Sequence, residues 1–513
     1  MLPYFHPRSL GLRFTSRLRL VLLVSVLIAT CLQLVSPGSA QTQIEVGYRD
    51  FSFSIGEGSS VVGISAPTGQ KPQSKLWFAD GYWWGVLFHV DTKSYNIHRF
   101  DLATQTWINT NTVVDDRPTS RMDCLWDGLR LYVVSAVRPN SVTPGGMRIL
   151  RYTYDRVSQT YSLDSGFPMR LADFQPEATV IDKDTTGMLW VTFTETNAAG
   201  GRQVYVAHST TDDHTWTAPY LLPVEAAAAL TADDISTIVA FGNQIGVMWS
   251  EQTTFTVYFA THVDGTDDQQ WTQEVALHVP AEEYADDHIN VKTDGRGQVF
   301  AAVKTSLNRP TEPLVMLLKR DMDGTWSHST FGQVVDAHTR PIVVIDAENN
   351  QIYVFASNER AIFYKQSDLD NIQFAAGPGT PFIQSSVDTN INNIASTKQT
   401  VTSTSGLLGI ASDDETDQDD HYYFHNYLSD LGIPCVVTSI GTQAVNLREG
   451  PGTNFAAQGT LPSQNNAQVD GQATGNDGFV WWRLTSGLWV RSDVVTASGN
   501  CAEILTVEPV APS

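Results

Sequence analysis

The feature that most constrains this chain is the recurrence of an aromatic residue shortly after a polar turn. It falls at Trp107, Tyr161, Trp216, Trp271, Trp326 and Phe374, at intervals of 54, 55, 55, 55 and 48 residues. A second landmark keeps step. Apolar runs that follow a Gly or Asn turn begin at Gly81, Gly128, Gly187, Asn243, Gly297, Asn350 and Gly406. Strand-like runs bounded by Gly, Asn, Asp and Thr fill the chain between them, and only the stretch from Glu225 to Leu230 carries helical character. A period near fifty residues with several strands per unit is the pattern of propeller blades, none of which buries its apolar faces alone. The expected fold class is therefore all-β: a β-propeller of seven blades, with six blades plus an irregular edge as the rival count.

The seventh unit lacks its last strand, because HYYFHNYLSD from His421 runs almost directly into a different kind of sequence. QIEVGYRDFSFSI from Gln43 supplies that strand, closing the ring with the start of the chain and removing an exposed sheet edge.

Before Gln43 lies an Arg-bearing start, an apolar run from Leu20 to Leu32 and the small-residue stretch ending at Ala40. This reads as a bacterial-type signal peptide over 1–40, so the expected location is secreted or cell-surface associated. Lipid attachment at Cys31 is the alternative, although Ile28-Ala29-Thr30 fits that pattern poorly. No later segment reads as a membrane span. The net charge is −23, and the first forty residues hold four Arg and no acid, so the remainder is more acidic still. Such a surface argues against nucleic acid as a partner. With Cys31 removed, Cys124, Cys435 and Cys501 remain. Cys435 and Cys501 bracket a compact segment and are the expected disulfide, while Cys124 sits in an apolar strand as an inert thiol.

The turn STTDDHTW ending at Trp216 resembles the Asp-box of sialidase-like propellers, with Thr211 where that box has Asp and Asp213 where it has Gly. The turns ending at Trp271 and Trp326 are looser relatives of it. This resemblance implies blade architecture and no particular chemistry. Sialidases also need three funnel arginines, and only Arg121 and Arg340 fall at funnel positions, so sialidase activity is disfavoured. Seven-bladed polysaccharide lyases resemble the architecture more closely, with His288, Arg340 and a nearby Tyr as the form such a site takes.

Residues at or just before the innermost strands rim the central funnel. These are Lys75, Arg121, Gln175, Glu177, Asp233, Asp234, Asp286, Asp287, His288, Arg340, Asn392 and Asn393. Mixed charge with amides suits a polyhydroxylated sugar, and a water-filled channel with polar strand starts is the plainer account of each residue. Carbohydrate binding by Lys75, Arg121, Asp287, His288, Arg340 and Asn393 is the leading expectation. The enzyme alternative is a polysaccharide lyase or glycosidase with His288, Arg340, Arg121, Glu177 and Asp234 as catalytic groups. A protein-interaction scaffold is the third reading. Trp83 and Trp84 are candidates for stacking on sugar faces. No cofactor is implied. The acidic run SDDETDQDD from Ser412 raises Ca²⁺ but lacks the glycine and closing Glu of a calcium loop, so it reads as a solvated hairpin.

The propeller is expected over 41–430. Beyond it, AVNLREGPGTNF from Ala444 and FVWWRLTSGLWVRSDVV from Phe479 match the bacterial SH3-like (SH3b) pattern: Asn446, Arg448, Gly450 and Pro451 at its start, then Trp481 and Trp482, then Gly487, Trp489 and Val490. The resemblance covers 435–501 and implies a small barrel that targets proteins to cell-wall peptides or glycans. Trp481 or Trp482, whichever faces outward, is its ligand candidate. Residues 502–513 read as a flexible tail.

Overall fold

A computed structural model describes residues 45–54, 67–69, 71–137, 145–196, 201–358, 360–388, 390–413, 421–429, 431, 435–499, 501, 504, 506 and 507. The expected signal peptide, Cys31, most of the acidic run from Ser412 and nearly all of the tail lie outside them.

Seven antiparallel sheets follow one another along the chain and form a seven-bladed propeller. Their innermost strands are Leu76–Ala79, Ser120–Trp126, Thr179–Lys183, Ser236–Phe241, Ile289–Thr293, Thr339–Asp346 and Ile391–Ala395, for blades 1 to 7 in order. Each blade has four strands except blade 2, whose outer strand is split into Thr160–Leu163 and Met169–Ala172. In blade 7 the outer position is taken by Tyr48–Ser52, which pairs antiparallel with Tyr422–Leu428, Tyr48 opposite His425. The ring is thus closed by the start of the chain, and the count is seven.

Blade strands are apolar on both sides because both faces pack on neighbours. Arg130–Val137 is buried from Leu131 onward. The periodic aromatics lie at the start of the outer strands or up to six residues before it and wedge into these interfaces: Tyr161 lies edge-on to Trp84 at 5.0 Å between ring centres, Trp271 to Trp190 at 5.9 Å and Trp326 to Phe259 at 5.4 Å. The fit leaves no room for a methyl at Gly246, where a Cβ would stand 2.1 Å from Phe259 Cζ. Trp83 and Trp84, expected to be available for sugar stacking, are both buried. Their strand is sandwiched, with Trp83 donating to the Ser405 carbonyl at 2.7 Å and Trp84 packed on Tyr154 and Tyr161. In the turn before Trp216, Asp212 accepts from the His214 and Thr215 N–H groups at 2.9 and 3.0 Å, and the indole donates to the Asp213 carbonyl at 3.0 Å.

Near the axis, inner-strand side chains tie each blade to the next. Asp123 accepts from Ile181 N–H at 3.0 Å, Asp182 from Ala240 at 2.8 Å, and Asn290 from Val343 at 3.1 Å. The segment that joins the closing strand to blade 1, residues 67–69 and 71–75, is buried. Thr68 donates to the Asn393 carbonyl, Ser74 N–H to Asp123, Asn290 to the Pro72 carbonyl and Lys71 to Glu177. A buried segment that meets the inner strands of blades 2, 5 and 7 and the lead-in to blade 3 lies in the central channel, as a strap through it.

The C-terminal strands form one seven-stranded sheet from Val436–Ser439 to Val495–Ser498. Val437, Leu447, Val469, Leu484 and Val490 fill its core, and Cys435 is bonded to Cys501. The Gly-Pro turn has a steric cause, since a Cβ on Gly450 would stand 2.3 Å from Phe455, whose carbonyl accepts from Arg448 at 2.6 Å. Cys124 is buried, and that burial pushes its thiol up to about 12. No helix among the described residues is long and apolar enough to cross a membrane.

Replacing Cys435 and Cys501 by Ser opens a loop with a sequence separation of 66. The expected loss, read from the chemical-denaturation midpoint of this module, is about 4 kcal/mol. A second expectation concerns acid. Burial pushes His98 and His338 down to about 4, so both stay neutral in the fold while the unfolded chain protonates them near 6.5. Their contribution is complete above about 6.5 and is lost progressively as pH falls to about 4, with a slope of roughly 2 to 3 kcal/mol per pH unit. Urea titrations at pH 7, 5.5 and 4.5 should show it, and a His98→Asn, His338→Asn double variant should flatten it.

Candidate functional site

At the end of the channel where the inner strands begin, the strap delivers Lys71 into a ring of charged groups. Its ammonium donates to Glu177 at 2.9 Å and also contacts Asp287. Glu177 has two further cations nearby, Arg121 and Arg202, each with a guanidinium nitrogen 3.8 Å from its carboxylate. Arg121 also donates to the Glu177 carbonyl at 3.1 Å. On the other side His288 presents Nδ1 to both Asp287, at 2.6 Å, and Asp286, at 2.7 Å, and Lys304 pairs with Asp286 at 2.7 Å.

Asp233 completes the group, exposed and within hydrogen-bonding reach of Asp287. Partial burial raises it above the usual carboxylate range, reinforced by the negative charges of Asp287 and Glu177. Asp287 goes the other way. Burial alone would raise it, but hydrogen bonding and charge from His288, with help from Asp286 and Lys71, hold it well below the usual range. The arrangement keeps Asp287 ionised and makes Asp233 the group most ready to carry a proton.

Arg121, Glu177, Asp233, Asp286, Asp287 and His288 are therefore brought together as the strand alignment expects. Others are not. Lys75 is 1% exposed, inside the channel with its ammonium 5.7 Å from the Tyr95 ring centre, because the strap turns there into blade 1. Burial brings it down to about 8. Asp234 is fully buried and saturated by Thr231, Ser250 and Gln252, which makes it a loop anchor and not an acid facing a ligand. Gln175 donates its N–H to Glu195 at 3.1 Å. Arg340 stands half-buried at the start of the inner strand of blade 6, outside these ion pairs, and Asn392 and Asn393 at the start of that of blade 7 are buried, so Asn393 is no ligand contact. In the C-terminal module Trp481 is buried with its indole on Asp477 at 3.1 Å, so it is no ligand contact, and Trp482 is half-buried against the module core. Lys71, Arg202 and Lys304 escape the sequence reading because none belongs to an inner strand.

Glu177, Asp233 and Asp287 offer carboxylate oxygens within 4.8 Å of one another, as do the donors of Asp286, Asp287 and His288. Such sets suit a hard cation. The ammonium of Lys71 already supplies the positive charge between Glu177 and Asp287.

The class defined by this geometry is a seven-bladed propeller whose channel is strapped from within and whose mouth is a compensated ring of acids and bases. No family model matches the chain, and no curated protein matches it. Among solved structures it is similar to an ulvan lyase from a new polysaccharide lyase family, at 10% identity over 75% of this chain and 96% of that one, with a TM-score of 0.45. An α-L-arabinanase of Penicillium chrysogenum complexed with arabinobiose matches at 11% identity over 64% and 99%, with a TM-score of 0.39. A protein of unknown function from Dyadobacter fermentans matches at 11% over 58% and 91%, also at 0.39. At these values the likenesses carry no argument about function.

Lys71→Met leaves two largely buried carboxylates without their shared cation and should cost about 3 to 5 kcal/mol in urea unfolding. Combining it with Glu177→Gln should cost at least about 1 kcal/mol less than the sum of the two single changes.

Proposed function

We propose that this protein recognises a saccharide at the channel mouth without turning it over. The observation that carries the reading is the strap: buried in the channel, it carries Lys71 into a ring of preorganised donors and acceptors that form a hydrogen-bonding floor. Hydroxyl groups suit such a floor, since each is both donor and acceptor and needs no net charge to bind. A lyase needs a base that reaches its ligand. Here His288 commits Nδ1 to two carboxylates, and its Nε2 is buried without a partner. In this reading residues 1–40 are a signal peptide and the chain is exported, which the disulfide between Cys435 and Cys501 suits. The module over 435–501 then acts as an SH3-like anchor to envelope glycan or peptide.

A second reading is favoured by one specific observation. Asp233, raised, and Glu177, surrounded by cations, have carboxylate oxygens within 4.8 Å of each other, near the roughly 5 Å separation of an acid and a nucleophile in retaining glycosidases.

The test is a glycan array with the full chain, run beside depolymerisation assays on the polysaccharides retained, for wild type and Asp233→Asn. Retention without product, weakened about tenfold or more in the variant, is expected. Product formed by wild type and abolished by Asp233→Asn would replace binding with glycoside hydrolysis, and no glycan response at all would overturn both readings.

A further inference from the structure

Most arginines around the channel mouth face an acid, and Arg340 does not. Arg121 and Arg202 flank Glu177, whereas Arg340 has no ion-pair partner among the described residues, and its Nε is buried without a hydrogen bond. In a chain with a net charge of −23, a half-buried guanidinium left without a carboxylate is conspicuous. Its backbone is unusual as well, with φ at 51°, in the left-handed region that side-chain-bearing residues enter at a cost.

The same features recur in the neighbouring blade. Asn393 has φ at 56°, is fully buried, and neither its Oδ1 nor its Nδ2 has a partner. Both residues sit where the inner strand slips register against the second strand, between Thr339 and Ile342 in blade 6 and between Asn392 and Ala395 in blade 7. Such irregularities re-aim side chains and persist where they serve a site. The two places adjoin. Ser357 contacts the Asn392 amide oxygen and also lies 3.3 Å from the carbonyl of Thr339, the residue before Arg340. On the other side Thr68 of the strap holds the Asn393 carbonyl.

Charge chooses the ligand. Glu177, Asp286 and Asp287 are met by Lys71, Arg121, Arg202, Lys304 and His288, whereas Arg340 has no carboxylate of its own among the described residues. A single guanidinium fork matches a planar, singly charged carboxylate. We infer that Arg340 forms the anion-reading subsite of the mouth and that the saccharide recognised there carries a carboxylate, as a uronate does. This rests on the saccharide reading above and names its ligand class.

The test titrates the full chain with oligomers of galacturonate, glucuronate and mannuronate, each beside its neutral methyl ester, and with a sulfated galactan oligomer. At least one uronate should bind about tenfold or more tighter than its ester, and Arg340→Gln should erase that difference. Arg340→Gly should erase it too while raising the melting temperature, because glycine releases the left-handed strain; a purely structural Arg340 would not trade stability against acid preference in this way. The inference is overturned if Arg340→Gln keeps the acid preference, if no uronate outbinds its ester, or if the sulfated oligomer is preferred to all of them. Neutral glycans retained on the array with no acid preference would sink this inference alone, whereas silence toward every glycan would sink the saccharide reading itself.

Discussion

Everything in the propeller depends on one strand pairing, Tyr48–Ser52 against Tyr422–Leu428. Blades are apolar on both faces, so an open ring would leave the interfaces flanking the gap in water and an unpaired edge on blade 7. The pairing is reinforced where it is most buried. His425, with no exposed surface, sets Nδ1 2.8 Å from the Asp50 carboxylate, and its ring stacks on Tyr48 at 5.0 Å. Burial raises Asp50 more than its histidine partner lowers it, so the latch is a hydrogen bond held in a dry place.

The site inherits its geometry from that closure. Between the closing strand and blade 1, the strap carries Lys71 to Glu177 and Asp287. A cation supplied by the connecting segment sits between acids from blades 3 and 5, while the inner-strand ties of Asp123, Asp182 and Asn290 hold neighbouring blades in register. The mouth is thereby rigid in the sense that matters for recognition: its charges are oriented by one another before any ligand arrives.

How much of this was legible depends on what repeats. The wedge aromatics from Trp107 to Phe374 stand out because every blade solves the same packing problem, and the missing edge strand stands out because the repeat breaks there. Strand register then brings Arg121, Glu177, Asp233 and the run Asp286 to His288 to one end of the channel. The strap has no such signature. Its residues are polar, nothing in them alternates, and their burial is made possible by contacts spread over four blades. Lys75 and Asp234 show the reverse error: a polar residue beside an inner strand faces the ligand or the protein interior depending on a segment that carries no periodic signal. Arg202 and Lys304 enter from second and third strands, where a scan of inner strands does not look.

The strap also sets an order of events in the life of the chain. Asp50 and His425 meet across 375 positions, so the strand synthesised first among the described ones has nothing to pair with until the last blade exists. Contacts of such long range slow the approach to the native state and leave the early blades as partly covered intermediates. Because the strap must lie inside the channel when the ring shuts, blades 1 to 7 cannot finish as a closed wheel and receive it afterwards. The propeller is therefore assembled around its own N-terminal thread.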